Sequence, residues 1–333
     1  MTGPGDGGAW VGRRALVLGA SGFIGRWTAA LLAAEGADLV LAGRDADAVR
    51  AALEPFADRA PAGAPPEIRA VDLARPGAAE ELVAEVRPAI VFNLVGYGVD
   101  PCERDEARYE RLNHGLVHEL VYAIRDARDR GEDAWTGQHL IHAGSALEFG
   151  GVSGDLSDPW HCRPTTSYGR TKLRGSEEVV GAVQRNDLRG VSVRLFTVFG
   201  PGEHAGRLLP ALLAARRADG DLELTAGTQL RDFTYVEDAA RGLLRLGAME
   251  HVVAESALNL ATGKLTPVRE FAETAGHLLG IAPERLKFGA LETRPEEMSH
   301  DPVSTARLAE LTGWVPDTSI ADGVRRTLEF PAR

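Results

Sequence analysis

The feature that most limits what this chain can fold into is an apolar run that breaks into regularly spaced glycines. Ala15, Leu16, Val17 and Leu18 follow Arg14 without interruption, which predicts a strand buried on both faces. Gly19-Ala20-Ser21-Gly22-Phe23-Ile24-Gly25 comes next, and apolar helical sequence continues to about Ala34. Strand, glycine turn and helix in this order let a backbone approach a pyrophosphate closely, with the free N–H groups of the helix start facing it. The spacing is G-x-x-G-x-x-G and not the more common G-x-G-x-x-G.

The next segments extend this pattern. Asp38 to Ala42 reads as a second strand, ending Gly43-Arg44-Asp45. An acidic residue at that strand end would hold ribose hydroxyls and select NAD. Gly43 leaves room instead, and the Arg44 guanidinium can pair with a 2′-phosphate, so NADP(H) is favoured over NAD. Asp45 is either a ribose ligand or a helix cap. Glu67 to Val71 is a third strand ending Asp72-Leu73, and residues 76–87 read as a helix. Ala89 to Val95 is a fourth strand ending Leu94-Val95-Gly96, where a glycine lets the backbone run close under a cofactor. Asp100 to Arg130 is expected to be largely helical, with an apolar stripe through Tyr109, Leu112, Leu116, Leu120, Ala123 and Ala127. Gln138 to Ala143 and Val191 to Leu195 supply a fifth and a sixth strand.

Tyr168-Gly169-Arg170-Thr171-Lys172 carries the chemistry. A free phenol has a pKa of about 10 and is a poor acid–base group at neutral pH. A lysine four residues on lies one helical turn away on the same face, and its charge would favour the phenolate. This spacing resembles the YxxxK centre of the short-chain dehydrogenase/reductase superfamily. The glycine turn, the Arg231-Asp232-Phe233-Thr234-Tyr235-Val236-Glu237-Asp238 segment and Arg294-Pro295-Glu296 make the chain similar to the extended members, the NAD-dependent epimerase/dehydratase family, over about residues 12–328.

The resemblance implies an α/β fold, a doubly wound parallel Rossmann sheet with a smaller C-terminal substrate domain. The dinucleotide-binding domain would span 12–201, with 236–262 returning to it. Residues 202–235 and 263–330 would bind substrate, and 1–11 would be a flexible tail. Ser145, five residues before Gly150, would be the catalytic hydroxyl beside Tyr168 and Lys172. Asn113 would bend its helix and hold a water in the proton path. Cofactor contacts would come from Gly19, Ser21, Gly22, Phe23, Ile24, Gly25, Arg44, Asp72, Leu73, Leu94, Val95, Gly96, Tyr168, Lys172 and Phe196. Arg207, Arg231 and Arg294 would hold a nucleotide-diphosphate sugar, and Asp238 would cap a helix. The leading expectation is an NADPH-dependent reductase of a nucleotide-linked 4-keto-6-deoxysugar, and the alternative is a nucleotide-sugar 4-epimerase with tightly bound NAD(P). A dehydratase is disfavoured because Ala146 and Leu147 stand where that branch carries an Asp-Glu pair. A non-catalytic dinucleotide sensor would have no use for Ser145, Tyr168 and Lys172 together. A homodimer through helices at about 105–128 and 168–184 is implied by resemblance.

Composition narrows the partners. The net charge of −11 over 333 residues argues against non-specific nucleic-acid binding. Pro88 to Val99, the longest mostly apolar run, is too short to span a membrane. Cys102 and Cys162 give neither a disulfide framework nor a metal spacing, and a cytoplasmic location is expected. His139 and His142 lie three apart on a predicted strand, pointing to opposite faces, so no metal site is expected.

Overall fold

The computed structural model describes residues 8–59, 65–98, 102–129, 135–218, 220–250, 256–292 and 298–331. Strand β1 (Arg14–Leu18) leads through helix α1 (Phe23–Ala34) to β2 (Asp38–Gly43), α2 (Ala46–Leu53) and β3 (Glu67–Ala70). Helix α3 (Ala78–Val86), β4 (Ile90–Asn93), α4 (Glu106–Glu110), α5 (Leu116–Asp129) and β5 (Leu140–Ser145) follow. Then come α6 (Ser167–Gln184), β6 (Gly190–Leu195), β7 (Thr197–Phe199), α7 (Leu208–Arg217), β8 (Leu222–Leu224) and β9 (Leu230–Tyr235). The remaining elements are α8 (Val236–Gly247), β10 (Ala257–Leu260), β11 (Leu265–Pro267), α9 (Val268–Leu278), β12 (Leu286–Phe288), α10 (Ala306–Thr312) and α11 (Ile320–Glu329).

Seven strands form one sheet in the order β3-β2-β1-β4-β5-β6-β10, and every pairing in it is parallel. The side chains of β1 alternate between two cores. Ala15 and Val17 join the cluster that holds Trp27 of α1 and Leu243 of α8; Leu16 and Leu18 join the one formed with Leu82 of α3, Leu120 of α5 and Val179 of α6. Both faces are therefore covered, which is why β1 reads as an unbroken apolar run. The order in which strands are added reverses between β1 and β4, and a doubly wound sheet opens a crevice at that point, beyond the strands' carboxyl ends.

Two small sheets complete the architecture: β11-β9-β7, and the parallel pair β12-β8. Asp232 ties β9 to the turn after β10. Its buried carboxylate accepts hydrogen bonds from the backbone N–H groups of Thr262, Gly263 and Lys264 at 2.9, 2.8 and 3.2 Å. Strand β10, within the 236–262 segment, pairs with β6 at the edge of the main sheet.

The stretch expected to be largely helical over 100–130 is so over 106–129, with α4 passing into a π-turn at Arg111–Gly115 before α5 begins. Two expectations need correction. The tail expected over 1–11 does not reach that far, because Trp10 is buried and packs its ring against Phe92 and Trp135. Asp238 does not cap α8, because that helix already starts at Val236 with Tyr235 as its N-cap residue. Asp238 sits in the first turn and accepts the Thr318 N–H at 3.0 Å. Among the described residues no helix is long and apolar enough to cross a membrane.

Candidate active site

The glycine turn follows β1 as the spacing predicts. Gly19 has φ +77°, a left-handed conformation that favours glycine, and a Cβ on Gly25 would lie 2.1 Å from the Gly19 carbonyl oxygen. Helix α1 then starts with no side chain capping it, whereas Asp45 caps α2, Asp105 caps α4 and Thr166 caps α6. The first N–H groups of α1 are thus left for another acceptor, which fits the pyrophosphate of a dinucleotide. The Arg26 guanidinium braces this turn by donating to the carbonyls of Ser21 (2.7 Å) and Gly22 (3.1 Å). Phe23, Ile24 and Leu94 are half-buried against the core.

At the end of β2, Arg44 is exposed and has no hydrogen bond or ion pair among the described residues. Asp45 is the cap of α2, accepting from Asp47 N at 2.8 Å and Ala48 N at 3.3 Å. Asp72 is exposed and closes a local turn onto Ala74 N at 3.0 Å, while the Leu73 side chain joins the core under α3 and α5. Phe196, just past β6, packs its ring 5.6 Å from that of His300.

The reacting groups converge at the carboxyl end of β5. Ser145 closes that strand, and Thr166 caps α6 so that Tyr168 and Lys172 fall one turn apart on it. The Tyr168 hydroxyl is hydrogen-bonded to Ser145. Lys172 is buried, and its Nζ donates to the carbonyls of Val95 (3.2 Å) and Ala143 (3.1 Å). A Cβ on Gly96 would stand 3.2 Å from that Nζ, so the glycine makes room for the ammonium.

The tyrosine was expected to have its pKa pulled down by Lys172. Burial instead pushes the phenol up to about 12, against the Ser145 hydrogen bond and with a further push from Glu148. Burial also lowers Lys172 to about 8, which the Glu148 charge partly offsets. Desolvation is the largest cause for both, because both groups share a site from which water is largely excluded.

Asn113 lies fully buried inside the π-turn. Its amide grips the backbone of Tyr97 at both ends, accepting from Tyr97 N at 2.9 Å and donating to Tyr97 O at 2.9 Å, and also donates to Thr171 Oγ1 at 3.1 Å. The helix is locally re-wound there. The side chain's contacts are with the loop after β4 and with α6.

Beyond β7 a cleft of about 260 Å³ opens among Phe199, Glu203, Arg207, Arg231, Phe233 and Phe271. Arg231 donates to the carbonyls of Leu230 (2.9 Å) and Met298 (3.4 Å), and its positive form is disfavoured by burial and by Arg207. Two like charges facing one cleft suit an anionic ligand. Arg207 pairs with Glu203 at 3.5 Å. Glu203 was missed from sequence, although its position four residues before Arg207 on a turn leading into α7 was visible. Burial raises its carboxyl to about 7, and one of its oxygens has no hydrogen-bond partner. Arg294 lies outside the described residues.

Glu148 was also missed. Its carboxylate accepts from Ser145 N at 2.8 Å, Ser176 Oγ at 2.9 Å and Arg194 Nε at 2.7 Å, all within the core. The signal was present as Ser145-x-x-Glu148, the spacing of a capping box.

A seven-stranded parallel sheet with an uncapped glycine turn at its switch point, and a serine, tyrosine and lysine gathered beside it, define an NAD(P)-dependent oxidoreductase or epimerase of the extended short-chain dehydrogenase type. The chain belongs to the NAD dependent epimerase/dehydratase family, whose profile matches residues 15–261. It is 32% identical over 328 residues to dTDP-6-deoxy-L-talose 4-dehydrogenase (NAD(P)(+)) of Kitasatospora kifunensis, covering 94% of this chain and 93% of that one. It is 26% identical over 314 residues to a probable dTDP-4,6-dihydroxy-2-methyloxan-3-one 4-ketoreductase of Streptomyces antibioticus, covering 90% and 92%. Among solved structures, MoeE5 in complex with UDP-glucose and NAD superposes with a TM-score of 0.77 at 25% identity, covering 95% of this chain and 98% of that one.

Proposed function

We propose that the protein is an NADPH-dependent reductase of a nucleotide-linked 4-keto-6-deoxysugar. The observation that carries this reading is the Tyr168 hydroxyl, hydrogen-bonded to Ser145 at the carboxyl end of β5. With its pKa pushed up to about 12 the phenol holds its proton at neutral pH, as the acid of a reduction must. Two relatives named for dehydrogenation or reduction at C4 of dTDP-linked sugars support the same direction of chemistry, since a 4-dehydrogenase run backward is a 4-ketoreductase.

The nicotinamide, when bound, supplies a hydride to the ketone carbon. The chain's own residues handle the oxygen. Ser145 hydrogen-bonds the carbonyl oxygen as negative charge develops on it, and Tyr168 delivers its proton there to leave a hydroxyl. Lys172 stabilises the resulting phenolate until water restores its proton. Arg207 and Arg231 pair with the diphosphate, and the phenylalanines of the cleft cover the apolar parts of the ligand. Arg44 is available for a 2′-phosphate because it has no other partner and Asp45 is occupied as a cap.

The test is NADPH oxidation, followed by absorbance, with a dTDP-4-keto-6-deoxyhexose, together with the mass of any dinucleotide released on denaturation. Steady oxidation by a protein purified free of cofactor is expected. Near-stoichiometric retained NAD(P) with no net oxidation would replace this reading with the epimerase. Replacing Arg44 by Ala should weaken NADPH binding about tenfold, in line with the loss of one charge-assisted contact. NADH binding should be unchanged, and an equal loss for both would remove the basis for NADP.

A further inference from the structure

The reaction just described uses Ser145, Tyr168 and Lys172, yet the most heavily bonded ionised side chain near them is Glu148. It lies at the end of the short turn that Ser145 opens. Ser145 Oγ accepts from Leu147 N at 3.2 Å while the Glu148 carboxylate returns to Ser145 N at 2.8 Å. This reciprocal pair fixes the Ser145 side chain and leaves its single O–H free to point away from the turn. The same carboxylate oxygen takes the Ser176 hydroxyl, which also meets Ser192 Oγ at 2.7 Å. Ser176 stands one turn beyond Lys172 and two beyond Tyr168, so one face of α6 presents all three. The other carboxylate oxygen takes Arg194 Nε from β6.

An ion pair with both partners fully buried is a poor source of stability, because desolvating two charges costs about as much as their attraction returns. Its placement gives it another use. We propose that Glu148 is a positioning residue that aims the Ser145 hydroxyl and supplies the fixed negative charge holding Lys172 in its ammonium form. This inference rests on the reductase reading only for what the ammonium then does. The charged and titratable groups around the pair are Arg194 from β6, neutral His142 from β5, Tyr168 from α6 with Arg207 and Glu103 acting on it, and Cys162, whose Sγ lies 3.6 Å from Arg194 Nη2. The Glu148 charge favours the Lys172 ammonium and works against the burial that lowers that amine.

The test needs no substrate. Lys264 and Lys287 are the other lysines of the chain, so protein labelled with ¹³C at the lysine Cε gives three resonances, with Lys172 assigned by its replacement with Met. The Lys172 signal of the wild type should titrate near 8. In Glu148→Gln, which keeps the side chain's size, the midpoint should fall by about one pH unit, a tenfold shift in protonation at a given pH. A folded Glu148→Gln whose Lys172 midpoint does not move would overturn the proposal. Should that variant fail to fold, Ser176→Ala decides. It leaves the carboxylate less dispersed, so the midpoint should rise by a few tenths; an unmoved or falling midpoint counts against it. If the wild type turns over a keto sugar, Glu148→Gln should also lower kcat by about 10- to 100-fold while KM stays within about twofold. Absence of turnover in the wild type would count against the reductase reading alone, since the titration is read from protein without substrate.

Discussion

The floor of the site and the cleft above it are built on opposite principles. Beneath Ser145 the charges are closely held: Glu148 takes three donors, Lys172 is held by two carbonyls, and Arg194 is paired through Nε although its Nη1 has no hydrogen-bond partner. In the cleft, Arg207 is 42% exposed and leans on Glu203 at 3.5 Å, and Glu203 keeps one buried oxygen unsatisfied. The floor is organised before any ligand arrives, which suits groups that must meet a developing charge without rearranging. The cleft holds its cations in loose contacts that a diphosphate can replace with better ones. Substitutions in the floor should therefore strike turnover, and those in the cleft should strike binding and stability.

The largest expected effect is in the floor. Tyr168→Phe should lower kcat by about 10³-fold, the usual size of a lost general acid, with NADPH affinity preserved. Turnover within a few fold of the wild type would remove Tyr168 from the mechanism. Next comes the cleft. Arg231→Ala should raise the substrate KM by roughly 10- to 100-fold, as expected for losing a charge-assisted contact to phosphate, and change kcat little. A drop confined to kcat would erase the distinction between the two regions.

The smallest effect concerns Glu203. Its carboxyl is raised from 4.5 to about 7, so between those values the folded protein holds a proton that the unfolded chain has released. Stability attributable to this group is therefore full below about pH 4.5 and is lost as the pH rises through about 7. Glu203→Gln should match the wild type at about pH 4 and be more stable by roughly 1–3 kcal/mol at about pH 8, measured by denaturant unfolding. Equal stabilities at both values would mean that the cleft carboxylate is as well satisfied as the floor's.

The alternation of strand and helix was legible because the central strands are covered on both faces and so read as apolar runs. The three-residue strands β7, β11 and β12 carry too little pattern to be seen, and β9 was read as a motif and not as a strand. Ser145, Tyr168 and Lys172 could be placed by the family resemblance of their motifs, and they lie together at the end of β5 and on α6. Their electrostatics could not, because the raised phenol of Tyr168 depends on how much protein surrounds it. Glu148 and Glu203 escaped notice for a related reason. A carboxylate in sequence looks like surface, and only packing reveals one with 0% side-chain exposure and another with 6%.

The π-turn at Arg111–Gly115 has a consequence for how this chain can vary. A helix turns about 100° per residue, so one added residue within a turn resets the phase of everything after it. Before the turn, Tyr109 packs against Tyr97; within it, Asn113 grips the Tyr97 backbone; after it, Leu116, Leu120 and Ile124 bury themselves under the sheet. An uninterrupted α-helix could not serve both ends. Deleting any single residue from 111–115 would force a choice between the grip on Tyr97 and the apolar seam. Insertions and deletions in descendants of this chain should therefore collect in the loops on either side and spare those five positions.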